Sequence, residues 1–254
     1  MKVLSFELNG KMAHFRKYYS NSTALSYMLP PVATIKGMLA GLLGYERDTY
    51  YELFSNNLCK IAVCVNSPIK KMTQRMNLLK VERISHLNGS AANRTQNDTE
   101  FIIPKNIRTG HVSYQIIFWH KNDSIIDELS KLLCNGSSFY SSKGICMALG
   151  SAQCLGWIQN AKVVEAEEHK STGEKLKIFG AINIEHLKYL EVPESYEFSV
   201  IKEESITEFD ENRFITADSK KKLLVNLLDT PVSAVLHNGT DYISVENKSY
   251  LFVK

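Results

Sequence analysis

Hydrophobic residues recur along the first two-thirds of this chain with two different periods, and the order of those periods restricts the possible fold more than any other feature. Residues 2–8 alternate, with Leu4, Phe6 and Leu8 on one face and Val3, Ser5 and Glu7 on the other, the pattern of a half-buried strand. Ile35, Met38, Leu39 and Leu42 then follow helical spacing, and Gly44 is placed to end that helix. Residues 60–65 form a short β-rich run closed by Asn66-Ser67-Pro68, and residues 112–119 carry a strong third strand pattern. Asn122-Asp123-Ser124 opens a second helix. Ser124 and Asp127 fit a capping box there, and Ile125, Ile126, Leu129, Leu132 and Leu133 make the apolar face. Cys134-Asn135-Gly136 stops it, and residues 157–164 read as a fourth strand. Strand, helix, strand, strand, helix, strand is the ferredoxin-like βαββαβ order. The predicted fold class is therefore α+β, with an RRM-like ferredoxin domain first.

Two segments interrupt that order. Residues 67–111 are polar and basic with weak periodicity, and a serine- and glycine-rich stretch covers residues 136–156. Beyond about residue 170 the chain is strand-rich and acidic. There, Asn238-Gly239 between apolar runs predicts a hairpin over residues 234–243. Residues 250–253 supply a last strand, and residues 223–228, after Lys220-Lys221-Lys222, a short helix. The expected organisation is a ferredoxin-like domain over residues 1–168 and a β-rich C-terminal lobe over residues 169–254. A chain of 254 residues that is 44% hydrophobic can fill the cores this requires.

Net charge is only +3, but residues 1–111 carry +8 and residues 112–254 carry −5. A basic half suits a polyanion, and an acidic half suits a protein neighbour or solvent. The five cysteines, at 59, 64, 134, 146 and 154, form no C-x-x-C pair and have no His-x-x-x-His partner, so buried reduced thiols are expected rather than zinc ligands. Residues 1–4 run straight into a strand pattern, so no signal peptide is expected, and no apolar run approaches about 18 residues. A cytoplasmic location without membrane contact is the expectation. No Ser-His-Asp order, P-loop or metal cluster stands out, and no cofactor or metal is expected.

The candidate ligand chemistry concentrates between residues 14 and 44. His14-Phe15-Arg16-Lys17-Tyr18-Tyr19 is a basic, aromatic loop, and it leads through the stiff Pro30-Pro31 corner into a helix notched by Gly37, Gly41 and Gly44. Arginine and lysine suit phosphate, and aromatic rings offer faces on which bases stack. Phe15 reads better as a core residue.

Three features in this order resemble the CRISPR-associated protein 5 family of the RAMP superfamily. They are Phe6-Glu7-Leu8-Asn9-Gly10 followed by Ala13-His14-Phe15-Arg16, the Pro30-Pro31 helix with Thr34, Gly37, Gly41 and Gly44, and Leu149-Gly150-Ser151-Ala152-Gln153-Cys154-Leu155-Gly156. Together they span residues 3–157. Gly44-Tyr45-Glu46-Arg47-Asp48 with Tyr50-Tyr51, and Met76-Asn77-Leu78-Leu79-Lys80, look like the type I-B branch. The resemblance implies a subunit of the type I interference complex, Cascade, that holds the 5′ handle of the guide RNA and contacts the backbone subunit and the large subunit. Target DNA would be met indirectly, through guide pairing. It also implies a thumb-like hairpin drawn from residues 68–111.

Handle binding needs cations for phosphate, planar groups for unstacked bases and amides in a glycine loop. The candidates are His14, Arg16, Lys17 and Tyr18 in the first loop. Lys70, Lys71, Gln74, Arg75, Asn77 and Lys80 lie at the thumb base, and Gly150, Ser151 and Gln153 in the glycine loop. In the type I-C branch a member of the family itself cuts repeat RNA without metal, and His120-Lys121 with Tyr45, Tyr50 and Tyr51 would be the corresponding set here. Adjacent strand residues point to opposite faces, which separates His120 from Lys121 unless a bulge intervenes. The expected role is non-catalytic. A ferredoxin-like enzyme acting on a small anionic metabolite is the remaining alternative, and salt-dependent RNA binding counts against it.

Overall fold

A computed structural model describes residues 1–88, 94–134, 147–192 and 198–253. The first half runs β1 (Lys2–Gly10), two short strands β2 (Phe15–Arg16) and β3 (Ser26–Tyr27), α1 (Val32–Leu42), β4 (Cys59–Val65), β5 (Ile69–Leu79), β6 (Arg94–Pro104), β7 (Val112–His120), α2 (Asp123–Leu133) and β8 (Gly156–Glu165). Strands β4, β7, β1 and β8 lie in that spatial order as an antiparallel sheet, which gives the ferredoxin-like arrangement with α1 and α2 on one face. Leu4, Phe6 and Leu8 face the helices and are fully buried. Val3, on the other face, is buried too, because Ala166 and the C-terminal lobe's Ile243, Val245 and Tyr250 cluster with it.

Helix α1 follows Pro31, whose fixed φ suits a helix start, and it has no side-chain cap. Burial of Ile35, Leu39, Ala40 and Leu42 holds it instead. Gly44, at φ +84°, ends it in a Schellman turn: Gly44 N–H donates to Gly41 O and Tyr45 N–H to Ala40 O. Gly37 leaves the space that the Tyr50 hydroxyl fills. At α2 the cap is Asn122, whose Oδ1 accepts the Ser124 N–H at 3.0 Å. This corrects the Ser124–Asp127 capping box. The asparagine two residues earlier closes the turn first and draws the Ser124 hydroxyl to itself. The proposed stop at Asn135-Gly136 lies outside the described residues, as does the serine-rich part of the following stretch, residues 135–146.

The C-terminal lobe runs β9 (Glu167–Lys170), β10 (Lys175–Phe179), β11 (Ile182–Asn183), β12 (Leu187–Glu191), β13 (Val200–Ile206), β14 (Lys220–Asn226), β15 (Val232–Leu236), β16 (Asp241–Val245) and β17 (Lys248–Tyr250). A six-stranded sheet has the order β12-β15-β10-β17-β16-β9, and a three-stranded sheet the order β11-β14-β13. Residues 220–226 are thus strand β14, not the start of a helix over 223–228. Leu223 and Val225 enter the main core while Leu224 enters a second cluster, and burial on both faces turns a strand into the continuous apolar run that reads as helix. Asn238-Gly239 does not close a hairpin either. β15 and β16 are separated by β10 and β17, and the Gly239 N–H donates to Ser171 O. The hairpin lies one connection later, between β16 and β17. Glu246 and Asn247 there have φ +50° and +63°, the type I′ geometry that fits strand twist. The expected strand at 250–253 reduces to the end of β17 plus one bridge from Val253 to Ile61. Among the described residues no helix is long and apolar enough to cross a membrane.

Candidate nucleic-acid interface

The first loop is built as an extra strand between the thumb and the glycine loop. β5 and β6 pair antiparallel through eleven residues each, from Ile69–Pro104 to Leu79–Arg94. On the outer edge of β6, Ala13 exchanges both backbone hydrogen bonds with Ile102, at 2.9 and 2.8 Å. Ala24 N–H donates to Asp98 O and Glu100 N–H to Ala24 O. On its other side the loop meets the glycine loop, where His14 N–H donates to Leu149 O at 2.9 Å. Gly150 has φ +89°, and a Cβ there would lie 2.0 Å from His14 O, so only glycine permits this approach. Three motifs far apart in sequence therefore meet at residue 14.

At that junction the candidate residues divide. His14 is buried, its Nδ1–H donating to Glu100 O at 2.6 Å and its ring 5.8 Å from Phe101, so it fastens the loop. Phe15 is buried in the core beside Tyr114. Arg16 is exposed, and its guanidinium meets neutral oxygens of Ser20 and Asn21, leaving its charge uncompensated among the described residues. Lys17 turns inward: its Nζ lies 3.0 Å from Glu203 and 5.4 Å over the Tyr27 ring. Tyr18 is exposed, with its hydroxyl donating to Glu204 at 2.6 Å and Lys220 5.0 Å over its ring. The Glu204 bond holds the Tyr18 hydroxyl above its ordinary pKa. The acidic lobe thus turns part of its charge onto the first loop, where the charge reading had it facing a partner or solvent.

The thumb-base cluster splits across the two faces of the hairpin. Lys71, Arg75 and Asn77 share a face with Glu100, Asp98 and Gln96. Lys71 pairs with Glu100 at 2.8 Å, Arg75 with exposed Asp98 at 3.2 Å, and Asn77 accepts from Gln96. Lys70 and Gln74 are exposed on the opposite face, and no carboxylate pairs with Lys70 among the described residues. Lys80 lies just past β5, paired with exposed Glu82. In the glycine loop Ser151 O accepts the Cys154 N–H, which leaves Gln153 exposed at the turn and Ser151 half-buried.

Within the tyrosine, lysine and histidine set, His120 is enclosed by structural contacts. His120 is 1% exposed, its Nδ1 accepting the Asn122 N–H at 2.9 Å and its Nε2–H donating to Leu53 O at 2.9 Å. Both ring nitrogens are engaged, and the ring packs on Phe54 and Phe118. Lys121 is exposed next to it. Tyr50 reaches Phe54 rather than His120, and burial raises its hydroxyl pKa. Tyr51 donates to Asp48, and burial with that bond pushes its pKa up to about 12. Tyr45 is exposed. No group of three histidine, cysteine or carboxylate side chains among the described residues is arranged to hold a metal ion.

A CRISPR protein from Archaeoglobus fulgidus superposes on the chain with a TM-score of 0.57 over 98% of each chain, at 12% identity. The two proteins share one fold. Weaker likeness extends to a CRISPR RNA-guided surveillance complex, with TM-score 0.47, 12% identity and 91% of each chain covered. A Type III-B Cmr-beta complex bound to cognate target RNA and AMPPnP gives TM-score 0.44 and 12% identity over 92% of this chain and 86% of that one. No family model and no curated protein sequence matches the chain.

Glu100 and Glu203 hold the junction together, and residue type alone did not point to either. Glu100 accepts the Ser26 N–H and the Lys71 ammonium, and Glu203 accepts the Met28 N–H and the Lys17 ammonium. Tyr19, 52% exposed and edge-on to Tyr18, adds an open aromatic face that the loop's composition did signal.

Proposed function

We propose that this chain is a non-catalytic, RNA-binding structural subunit of a type I, I-B-like CRISPR interference complex, and that its loop, thumb and glycine-loop junction grips the 5′ handle of the guide RNA. The observation that carries this reading is the convergence of the three segments at His14. It sets uncompensated Arg16, exposed Lys70, the Tyr18–Tyr19 rings and the polar turn at Ser151 and Gln153 on the segments that meet there. Cations for the backbone, rings for unstacked bases and a glycine turn for close approach are what single-stranded RNA requires. The fold shared with a CRISPR protein supports the assignment to such a complex. Exposed Ile84 and Leu87 on the thumb and the remaining acidic surface suit contacts with the backbone and large subunits.

The test is binding of labelled handle RNA at graded salt. Arg16→Ala and Lys70→Ala should each weaken binding and lower the slope of log affinity against log salt by about one. A double variant with the parent affinity and slope would overturn the reading. Incubating the protein with repeat RNA in chelator should leave the RNA intact. Cleavage abolished by His120→Ala would transfer the protein to the endoribonuclease reading instead.

A further inference from the structure

The outer edge of the thumb hairpin is open. In an antiparallel ladder each residue turns its N–H and C=O to the same side, and successive residues alternate sides. The Ile69 N–H donates away from β6, to Leu227 O at 3.0 Å. On β6, Ile102 and Glu100 bond outward to Ala13 and Ala24, and their partners across the hairpin are Lys71 and Thr73. Both observations fix the same phase: Lys71, Thr73, Arg75 and Asn77 turn their N–H and C=O groups away from β6. None of these backbone groups has a hydrogen-bond partner among the described residues.

The open edge starts at an apolar slot. Where β5 meets the end of β14, a cavity of about 390 Å³ is walled by Met28, Ile69, Ile201, Leu227 and Leu228. Ile201 and Leu227 are only half-buried, so the slot keeps aliphatic surface accessible. Lys70, Lys71 and Lys105 complete its lining together with Ser199, and no carboxylate is part of it among the described residues. Between residues 69 and 80 the charged side chains are Lys70, Lys71, Arg75 and Lys80, all cations.

This chemistry selects the occupant. A second copy pairing through the same edge would set the row of cations against itself, and lysine on an edge strand is a device that keeps copies apart. RNA phosphates accept hydrogen bonds and donate none, so they answer only half of the edge, and the slot has no ring on which a base stacks. An extended polypeptide answers N–H and C=O groups alike. Carboxylates on it would face the lysines, and an aliphatic side chain would fill the slot. We propose that β5 takes up an extended, acidic segment of a partner protein as an added strand, with an aliphatic anchor seated in the slot between Met28 and Leu227. The site goes beyond the RNA-binding reading and does not rest on it, although Lys70 borders both.

The probe is a fluorescein-labelled peptide, Asp-Leu-Glu-Val-Thr-Val-Glu-Val-Thr, followed by anisotropy on the full chain, and it should bind saturably. The same peptide N-methylated throughout its backbone keeps its charge and side chains but has no donors, and should bind about tenfold more weakly or worse. Thr73→Pro removes one outward N–H and spares the ladder to β6, so it should weaken the peptide about tenfold with little change in the thermal midpoint. Ser199→Phe fills the slot from within and should weaken it to a similar degree. Should Thr73→Pro fail to fold, Ser199→Phe decides. Neither residue belongs to the RNA grip, so handle RNA should bind both variants as it binds the parent. No binding by the parent protein, equal binding of the N-methylated peptide, or variants that bind like the parent overturns the site. Loss of handle RNA by folded Thr73→Pro would make the edge an RNA surface, and self-association abolished by Thr73→Pro would make it a contact between copies. Either result overturns the proposal.

Discussion

Arg16 and Lys17 are neighbours in sequence and opposites in the structure. The loop alternates Phe15 in, Arg16 out, Lys17 in, and the inward lysine meets Glu203, whose carboxylate is 4% exposed. Breaking a pair this buried leaves the partner charge with too little compensation. Lys17→Ala should therefore lower stability by about 3 kcal/mol in urea unfolding, whereas Arg16→Ala should change it by less than about 0.5 kcal/mol. Burial pulls the Lys17 ammonium down, the Glu203 charge more than offsets that, and the folded pKa ends above 10.5. A base whose folded pKa is raised contributes stability that is full below its unfolded value and fades as pH climbs through the folded value. The Lys17 contribution should thus be constant at neutral pH and decline only above about pH 10.5, a loss that Lys17→Ala should not show. The sequence announces the chemistry of both residues and the direction of neither. Direction depends on Glu203, a residue from the far end of the chain.

At the scale of elements, period decided what was legible. The alternation of residues 2–8 is legible because the second face of β1, though largely buried, carries polar Ser5 and Glu7, and the helical spacing of 35–42 is legible because one side of α1 meets the core. Strand β14 was illegible because residues 223–225 find apolar contacts on both its faces, and Asn238-Gly239 misled because a turn can pass a chain between distant strands as well as fold it back. The thumb cations looked like one cluster in sequence, and a period of two parted them. Glycine positions show the same dependence on partners. Gly150 and Gly239 both have positive φ, but a Cβ at Gly150 strikes the His14 carbonyl, whereas at Gly239 nothing lies within 4 Å. Gly239→Ala should cost about 1–2 kcal/mol of backbone strain and leave RNA affinity unchanged. Gly150→Ala should cost more in the same thermal melt and abolish handle binding, since the loop must move off His14.

For the whole molecule, the two expected regions share one interior. Ala181, Leu223, Val225 and Val253 belong to the same core cluster as Leu4, Phe6 and Ile35. Gly180 and Ala181 also press against Val63 on the sheet edge. A chain cut after residue 168 exposes that cluster and strips Glu203 from Lys17. It should lose the cooperative unfolding transition of the full chain in circular dichroism, and a sharp melt at the parent temperature would contradict the shared core. Sequence patterning could place strands and helices within each region but not reveal that their apolar faces close on one another, because pairing of faces is settled in space.

The junction at residue 14 has a consequence in time. His14 bonds a carbonyl 86 positions later, and Met28 and Tyr18 bond carboxylates 175 and 186 positions later. During synthesis the sheet's first strands emerge long before β13 exists to receive the loop, and long-range closures of this kind come late in folding. A junction that joins residues 14–28 to Glu203 and Glu204 closes only after β13 has been made, so under the proposed function a guide RNA would be held only by chains extended past that strand.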